Sequence, residues 1–157
     1  MNIPPLAQLA LCMVTAGLLA AFLPLISFDA PAWLVATTAA AGMLFMLPAV
    51  MSFIRHKTTV NPRSPDRATT LVTSGIYSVT RNPMYVGMLI VLMAFVLWLG
   101  AVSAVSAVLA FYLMIDRGQI RGEEAALSRT FGKPFEGYAA RVPRWLFISM
   151  KRGRTHD

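Results

Sequence analysis

The sequence predicts an all-α, polytopic membrane bundle of four transmembrane helices, and three observations carry that prediction. Hydrophobic residues make up 57% of the 157-residue chain and charged residues 13%, against roughly 25% charged in soluble domains. The charges are also segregated: Met1 to Phe28, Ala30 to Ile54 and Met84 to Ile115 contain no Asp, Glu, Lys or Arg. The basic residues obey the same partition. Arg55, Lys57, Arg63, Arg67 and Arg81 lie between the second and third apolar blocks, and the other nine follow Ile115. With four crossings both basic regions fall on one side, and the positive-inside bias makes that side cytoplasmic. Both termini are then cytoplasmic and Asp29 faces outward, in a multi-pass protein expected in a bacterial inner (plasma) membrane.

The first span is expected over about 6–26 and the second over about 32–54, each close to 30 Å or more at 1.5 Å per residue. Pro24 and Pro48 are potential kinks. The N-terminus has no basic n-region, so its apolar stretch is read as a retained span and not as a secretory signal. The third block is too long for one upright crossing, since 32 uncharged residues would make a helix of about 48 Å. A hairpin resolves this, with Trp98 as interface anchor and Gly100 as breaker, giving spans over about 83–99 and 101–116. Asn82-Pro83 supplies the start signal for the third span, an N-cap type followed by the residue favoured at the first helical position. Residues 116–130 extend the fourth helix into the cytoplasm, and Gly132 with Pro134 stops it.

The rest of the single domain, 1–157, is a cytoplasmic loop at 55–82 and a cytoplasmic segment at 117–157. Phe135, Tyr138, Val142 and Trp145 interleave with Glu136, Arg141 and Arg144, the pattern of an interfacial amphipathic helix. Lys151, Arg152 and Arg154 form a basic tail suited to anionic headgroups. The net charge of +7 does not point to nucleic acid, because the basic residues flank spans and include no groove-reading motif. Cys12 is a lone packing residue, and no metal site is expected.

A hairpin brings two polar clusters to one end of the bundle. One runs Leu71-Val72-Thr73-Ser74-Gly75-Ile76-Tyr77 on to Arg81-Asn82-Pro83-Met84-Tyr85, and the other is Arg121-Gly122-Glu123-Glu124. Taken singly, Tyr77 and Tyr85 read as interfacial belt residues, the acidic pair as a solvated helix face and Arg121 as a headgroup anchor. Taken together, they offer aromatic faces, helix N-terminal amides and carboxylates to a small zwitterionic or cationic ligand.

The segments LVTSGIYSVTRNPMYVG and EEAALSRTFGKPFEGYAARVPRW resemble the isoprenylcysteine carboxyl methyltransferase and phospholipid methyltransferase group of integral membrane enzymes. The resemblance covers Thr69 to Trp145 and matches the first two spans only as generic helices. It implies S-adenosylmethionine as cofactor, S-adenosylhomocysteine as product, and a lipophilic or lipid-modified methyl acceptor reached from the bilayer. Thr69, Thr70, Leu71 and Val72 would line the cofactor, Tyr77 and Tyr85 would pack on it, and Asn82, Pro83 and Met84 would form the turn beside it. Glu123 would hold its polar end, with Glu124 supporting Glu123 or bracing Arg121. Arg121, in preference to Arg117, would meet the acceptor. Arg121 and Asn82 are the catalytic candidates; Asn82 stands where the family has histidine, and since an amide cannot act as a general base near neutral pH, it works by positioning or the proton acceptor lies elsewhere. Methyl transfer from a sulfonium proceeds by alignment and water exclusion and requires no metal or covalent nucleophile.

Two other functions compete. A four-helix transporter of small cations fits the size, but coupled transport places an ionisable residue within the membrane, and the first three spans have none. A non-catalytic scaffold of the same fold would account for Asn82 and would not bind the cofactor.

Overall fold

The computed structural model describes residues 3–55 and 70–146. Helix α1 (Pro5–Phe22) starts with a proline in its first turn and ends at Leu23, whose φ of −147° and ψ of 63° lie outside the helical region. Pro24 is the cause, because its ring disfavours helical backbone in the residue before it. Apolar sequence continues to Ile26, which is why the sequence reading carried the span that far; the proline ends the helix and does not kink it. Helix α2 (Ala32–Arg55) runs through Pro48 without a break.

The long uncharged block folds as the predicted hairpin. Helix α3 (Pro83–Leu99) stops at Gly100, which takes the left-handed conformation at φ 65° and ψ 30°. A 3₁₀ turn (Val102–Ala104) leads into α4 (Val105–Met114). That helix continues through a π turn (Ile115–Ile120) into α5 (Arg121–Phe131). Gly132, at φ 55°, ends α5, and α6 (Lys133–Arg141) follows at once.

α3 is the hub. On one side it meets α2 through two facing glycines, where the helices approach so closely that a Cβ on Gly87 would lie 2.7 Å from the Gly42 carbonyl oxygen. On its other side α1 packs against α3 and α4, with Cys12, Ala16, Leu92, Val96, Ala104 and Phe111 in one core. The connections at one end of the bundle are joined by a single antiparallel bridge between Ser27 and Ala101. There the Phe28 amide donates to Gly100 O at 2.8 Å and the Val102 amide to Ile26 O at 3.0 Å. A side chain at Gly100 would strike the Phe28 carbonyl, so glycine is required by contact as well as by backbone angle.

The outer faces are apolar. Leu6, Leu11, Val14, Leu18 and Phe22 of α1 are exposed, as are Trp33, Leu44, Leu47, Met51 and Ile54 of α2. An apolar exterior on this scale marks a surface that is not left to water. The stretches Pro5–Phe22 and Ala32–Ser52 are each long and apolar enough to cross a membrane. The amphipathic helix expected after Pro134 is present as α6, but its aromatic face is turned inward: Phe135 and Tyr138 are buried, as is Trp145 beyond it. Amphipathicity requires a cover for the apolar face, and here the protein itself supplies it.

Candidate functional site

At the end of the bundle opposite the Ser27/Ala101 bridge, the chain enters α3 through a 3₁₀ turn (Gly75–Ser78). Gly75 has φ +62°, and Ser78 Oγ donates to its carbonyl at 2.7 Å. The turn sits on the end of α2, where Val72, Tyr77 and Ala49 form a small second core with Ile76 and Met84 against it. Tyr138 Oη of α6 donates to the Tyr77 carbonyl at 2.7 Å, fixing the turn from outside. Burial raises the phenol pKa of Tyr77, with Tyr138 and Glu123 adding to the effect, so this ring stays neutral.

Asn82 occupies the N-cap position of α3, and its carbonyl accepts from Val86 N at 3.0 Å. Its side chain makes no capping hydrogen bond. Its Nδ2 donates to the Arg144 carbonyl at 3.1 Å. Thr80 Oγ1 donates to the same oxygen at 2.9 Å, and the Arg81 amide donates to Pro143 O at 2.9 Å. Residues 80–82 therefore bind the segment after α6 along their length.

The two adjacent glutamates of α5 have different surroundings. Glu123 Oε1 accepts from Tyr85 Oη at 2.6 Å and from Gln119 Nε2 at 3.1 Å. Among the described residues both partners are neutral and no cation pairs with it. Burial raises the carboxyl pKa above its ordinary value and Glu124 adds to the rise, against the lowering by its two hydrogen bonds. Glu124, by contrast, meets two guanidinium groups. Arg144 Nε lies 3.1 Å from Oε1, Arg144 Nη2 also contacts Oε2, and Arg81 Nη2 lies 3.2 Å from Oε1. Arg144 reaches on to Asp116 at 3.2 Å, and Trp145 Nε1 donates to the same carboxylate at 3.0 Å.

Glu124 does not brace Arg121, as the sequence reading allowed. Arg81 and Arg144 approach from separate elements and occupy both its oxygens, while Arg121 leans toward Asp116 at 3.8 Å with 62% of its side chain exposed.

Of the remaining candidates, Thr69 lies outside the described residues. Thr70 is exposed, Leu71 partly buried and Val72 buried; Pro83 and Tyr85 are buried, and Met84 is partly buried. The structure thus brings Val72, Tyr77, Asn82, Pro83, Met84, Tyr85, Glu123 and Glu124 to one end of the bundle and leaves Arg121 at its margin. Sequence reasoning did not single out Gln119, Thr80 or the role of Arg144. Gln119 had a signal, since it precedes Glu123 by one helical repeat of four; Thr80 acts through a contact 64 positions away and Arg144 through side-chain contacts 20 and 28 positions away, beyond the reach of helical spacing.

The phospholipid methyltransferase family matches residues 32–134. That range takes in α2, the 3₁₀ turn, the hairpin and α5, and it stops as α6 begins. A protein of Haemophilus influenzae, described as uncharacterized, is 41% identical over 63 residues, which is 40% of this chain and all of the relative. No solved structure matches the chain significantly. With the match covering about two thirds of its length, the chain belongs to the phospholipid methyltransferase family.

Proposed function

We propose that the protein transfers a methyl group from S-adenosylmethionine to a lipophilic or lipid-modified acceptor at the cytoplasmic face of the membrane. The chain crosses four times in this reading, with both termini cytoplasmic and α5, α6 and the 3₁₀ turn forming the cytoplasmic head. Membership of a methyltransferase family supports the reaction class. The observation that carries the rest is Glu123, a partly buried carboxylate held by neutral donors and without a cationic partner among the described residues. Such a group is costly until a positive charge arrives, and S-adenosylmethionine brings an ammonium and a sulfonium.

The residues present fit that ligand. Both hydrogen bonds to Glu123 fall on Oε1, so Oε2 is the oxygen assigned to the ligand ammonium. Val72, Ile76, Tyr77 and Met84 supply an apolar and aromatic wall. When bound, the cofactor would supply a methyl group on a sulfonium sulfur, open to in-line displacement by an acceptor lone pair with sulfur keeping the electrons of the broken bond. Tyr85 keeps Glu123 turned toward the ligand. The Tyr77 ring excludes water, which matters because alignment and dehydration are the main rate contributions available to such a displacement. Asn82 holds the segment after α6 against the site and transfers no proton. Arg121, at the exposed margin, is assigned to an anionic group of the acceptor.

The test is calorimetric binding of S-adenosylmethionine and S-adenosylhomocysteine to the detergent-purified protein and to Glu123→Gln. Micromolar binding by the wild type, weakened in the variant, supports the reading; a folded wild type that binds neither ligand rejects it.

A further inference from the structure

Helix α5 owes its rotational setting to the π turn before it. An α-helix advances about 100° per residue, so Asp116 and Glu124, eight positions apart, would stand about 80° apart around an unbroken α-helix. The i→i+5 hydrogen bonding of residues 115–120 underwinds that stretch, which narrows this offset. A single guanidinium spans the result. Arg144 Nη1 lies 3.2 Å from Asp116, inside the turn, while Nε lies 3.1 Å from Glu124 beyond it. The carbonyl of the same residue is fixed by Thr80 and Asn82, and Trp145 locks Asp116 from the next position. Gln119 and Glu123 straddle the same junction on the face that meets Tyr85.

We infer that Arg144 is a positioning residue of the cofactor site. By clamping Asp116 and Glu124 on either side of the π turn, it fixes the rotation of α5 that presents Glu123 to Tyr85. Wound as plain α-helix, the segment would carry Glu123 around the axis and away from Tyr85. The inference rests on the functional reading above for what Glu123 binds, and on geometry alone for how Glu123 is held. Arg144 follows α6, ten positions past the end of the matched range 32–134, so the clamp is supplied by the C-terminal segment. Lysine cannot replace it fully, because a point charge has no planar fork with which to hold two carboxylates at once.

The experiment compares full-length wild type, Arg144→Gln and Arg144→Lys in detergent, with a thermal melt to confirm that each is folded. Its first readout needs no ligand: NMR titration of ¹³C-labelled glutamate carboxyls, following Glu123, which faces Tyr85 from α3 and Tyr77 from the 3₁₀ turn with Glu124 beside it. In a folded Arg144→Gln protein the Glu123 titration is expected to fall toward the ordinary carboxyl range as the carboxyl swings to solvent, with Arg144→Lys intermediate. The second readout is S-adenosylhomocysteine affinity, expected to weaken about tenfold in Arg144→Gln and less in Arg144→Lys. An unmoved Glu123 titration in either folded variant overturns the clamp, whatever the binding does. Wild type that shows the raised Glu123 titration yet binds no cofactor overturns the functional reading and, with it, the role of the clamp in cofactor binding. If Arg144→Gln does not fold, Arg144→Lys decides by the same two readouts.

Discussion

Tyr85 and Glu123 stand 38 positions apart in the chain and are joined by a 2.6 Å hydrogen bond from phenol to carboxylate. The bond links the first turn of α3 to the first turn of α5 across the hairpin. Removing it with Tyr85→Phe keeps the ring and its packing. A hydrogen bond to a charged acceptor contributes about 1.5–3 kcal/mol, so S-adenosylhomocysteine affinity is expected to fall about tenfold or more, read by calorimetry. Unchanged affinity would show that Glu123 needs no orientation from Tyr85.

The acidic pair should separate by phenotype. Glu124→Gln breaks contacts to Arg81 and Arg144 in a partly exposed network, and is expected to cost about 2 kcal/mol of stability, below the 3–5 of a fully buried pair. Glu123→Gln removes a desolvated carboxylate while keeping an acceptor for Tyr85, so its stability should equal or exceed wild type while ligand affinity drops. Thermal melts beside binding curves check both. A Glu123→Gln protein less stable than Glu124→Gln would contradict the assignment.

Protonation of Glu123 gives opposite signs for folding and for binding. Burial raises its folded-state pKa, with Glu124 adding to the rise. A carboxyl raised in this way stabilises the fold below its unfolded pKa, and that contribution is lost as pH rises through the folded value. Ligand-free wild type should therefore lose stability relative to Glu123→Gln as pH climbs from about 4 toward 8. Affinity for a sulfonium or ammonium ligand should rise over the same interval in wild type and stay flatter in the variant. Melting temperatures and calorimetric affinities across that range test the two signs together.

The α2/α3 contact should tolerate no methyl. A Cβ on Gly42 would lie 2.9 Å from the Gly87 carbonyl oxygen, whereas one on Gly17 meets nothing within 4 Å. Gly42→Ala or Gly87→Ala is expected to cost about 1–3 kcal/mol through overpacking. Gly17→Ala should be neutral or stabilising by up to about 1 kcal/mol, the helix-interior penalty of glycine. Chemical unfolding in mixed micelles ranks the three.

The architecture was legible where it depended on charge and on strong breakers. The uncharged run from Met84 to Ile115 is too long for one span and has Gly100 near its middle, and a hairpin follows at that residue. The end of α1 was missed by four residues because apolarity says where a chain is at home, whereas Pro24 decides what its backbone does there. The site was legible as a collection and not as an arrangement. Glu123 and Glu124 are the same residue type side by side, and only the π turn and the approach of Arg81 and Arg144 give them different partners. No periodicity announces a π turn. Phe135, Tyr138 and Trp145 showed an apolar face to be covered, but sequence pattern does not distinguish lipid from protein as the cover.

The bridge between Ser27 and Ala101 bears on how short helices live in a thick solvent. In the four-crossing reading, α3 spans about 25 Å, less than a hydrocarbon core of about 30 Å, and α4 with its 3₁₀ lead is shorter still. The connections at that end are therefore drawn toward lipid, where a bare amide has no water to turn to. The Phe28 amide donates to Gly100 O and the Val102 amide to Ile26 O, so the two loops satisfy one another's peptide groups without water. The outer rim of the bundle can then sink below the headgroups without leaving these peptide groups unsatisfied, and the bilayer need not thin to meet it.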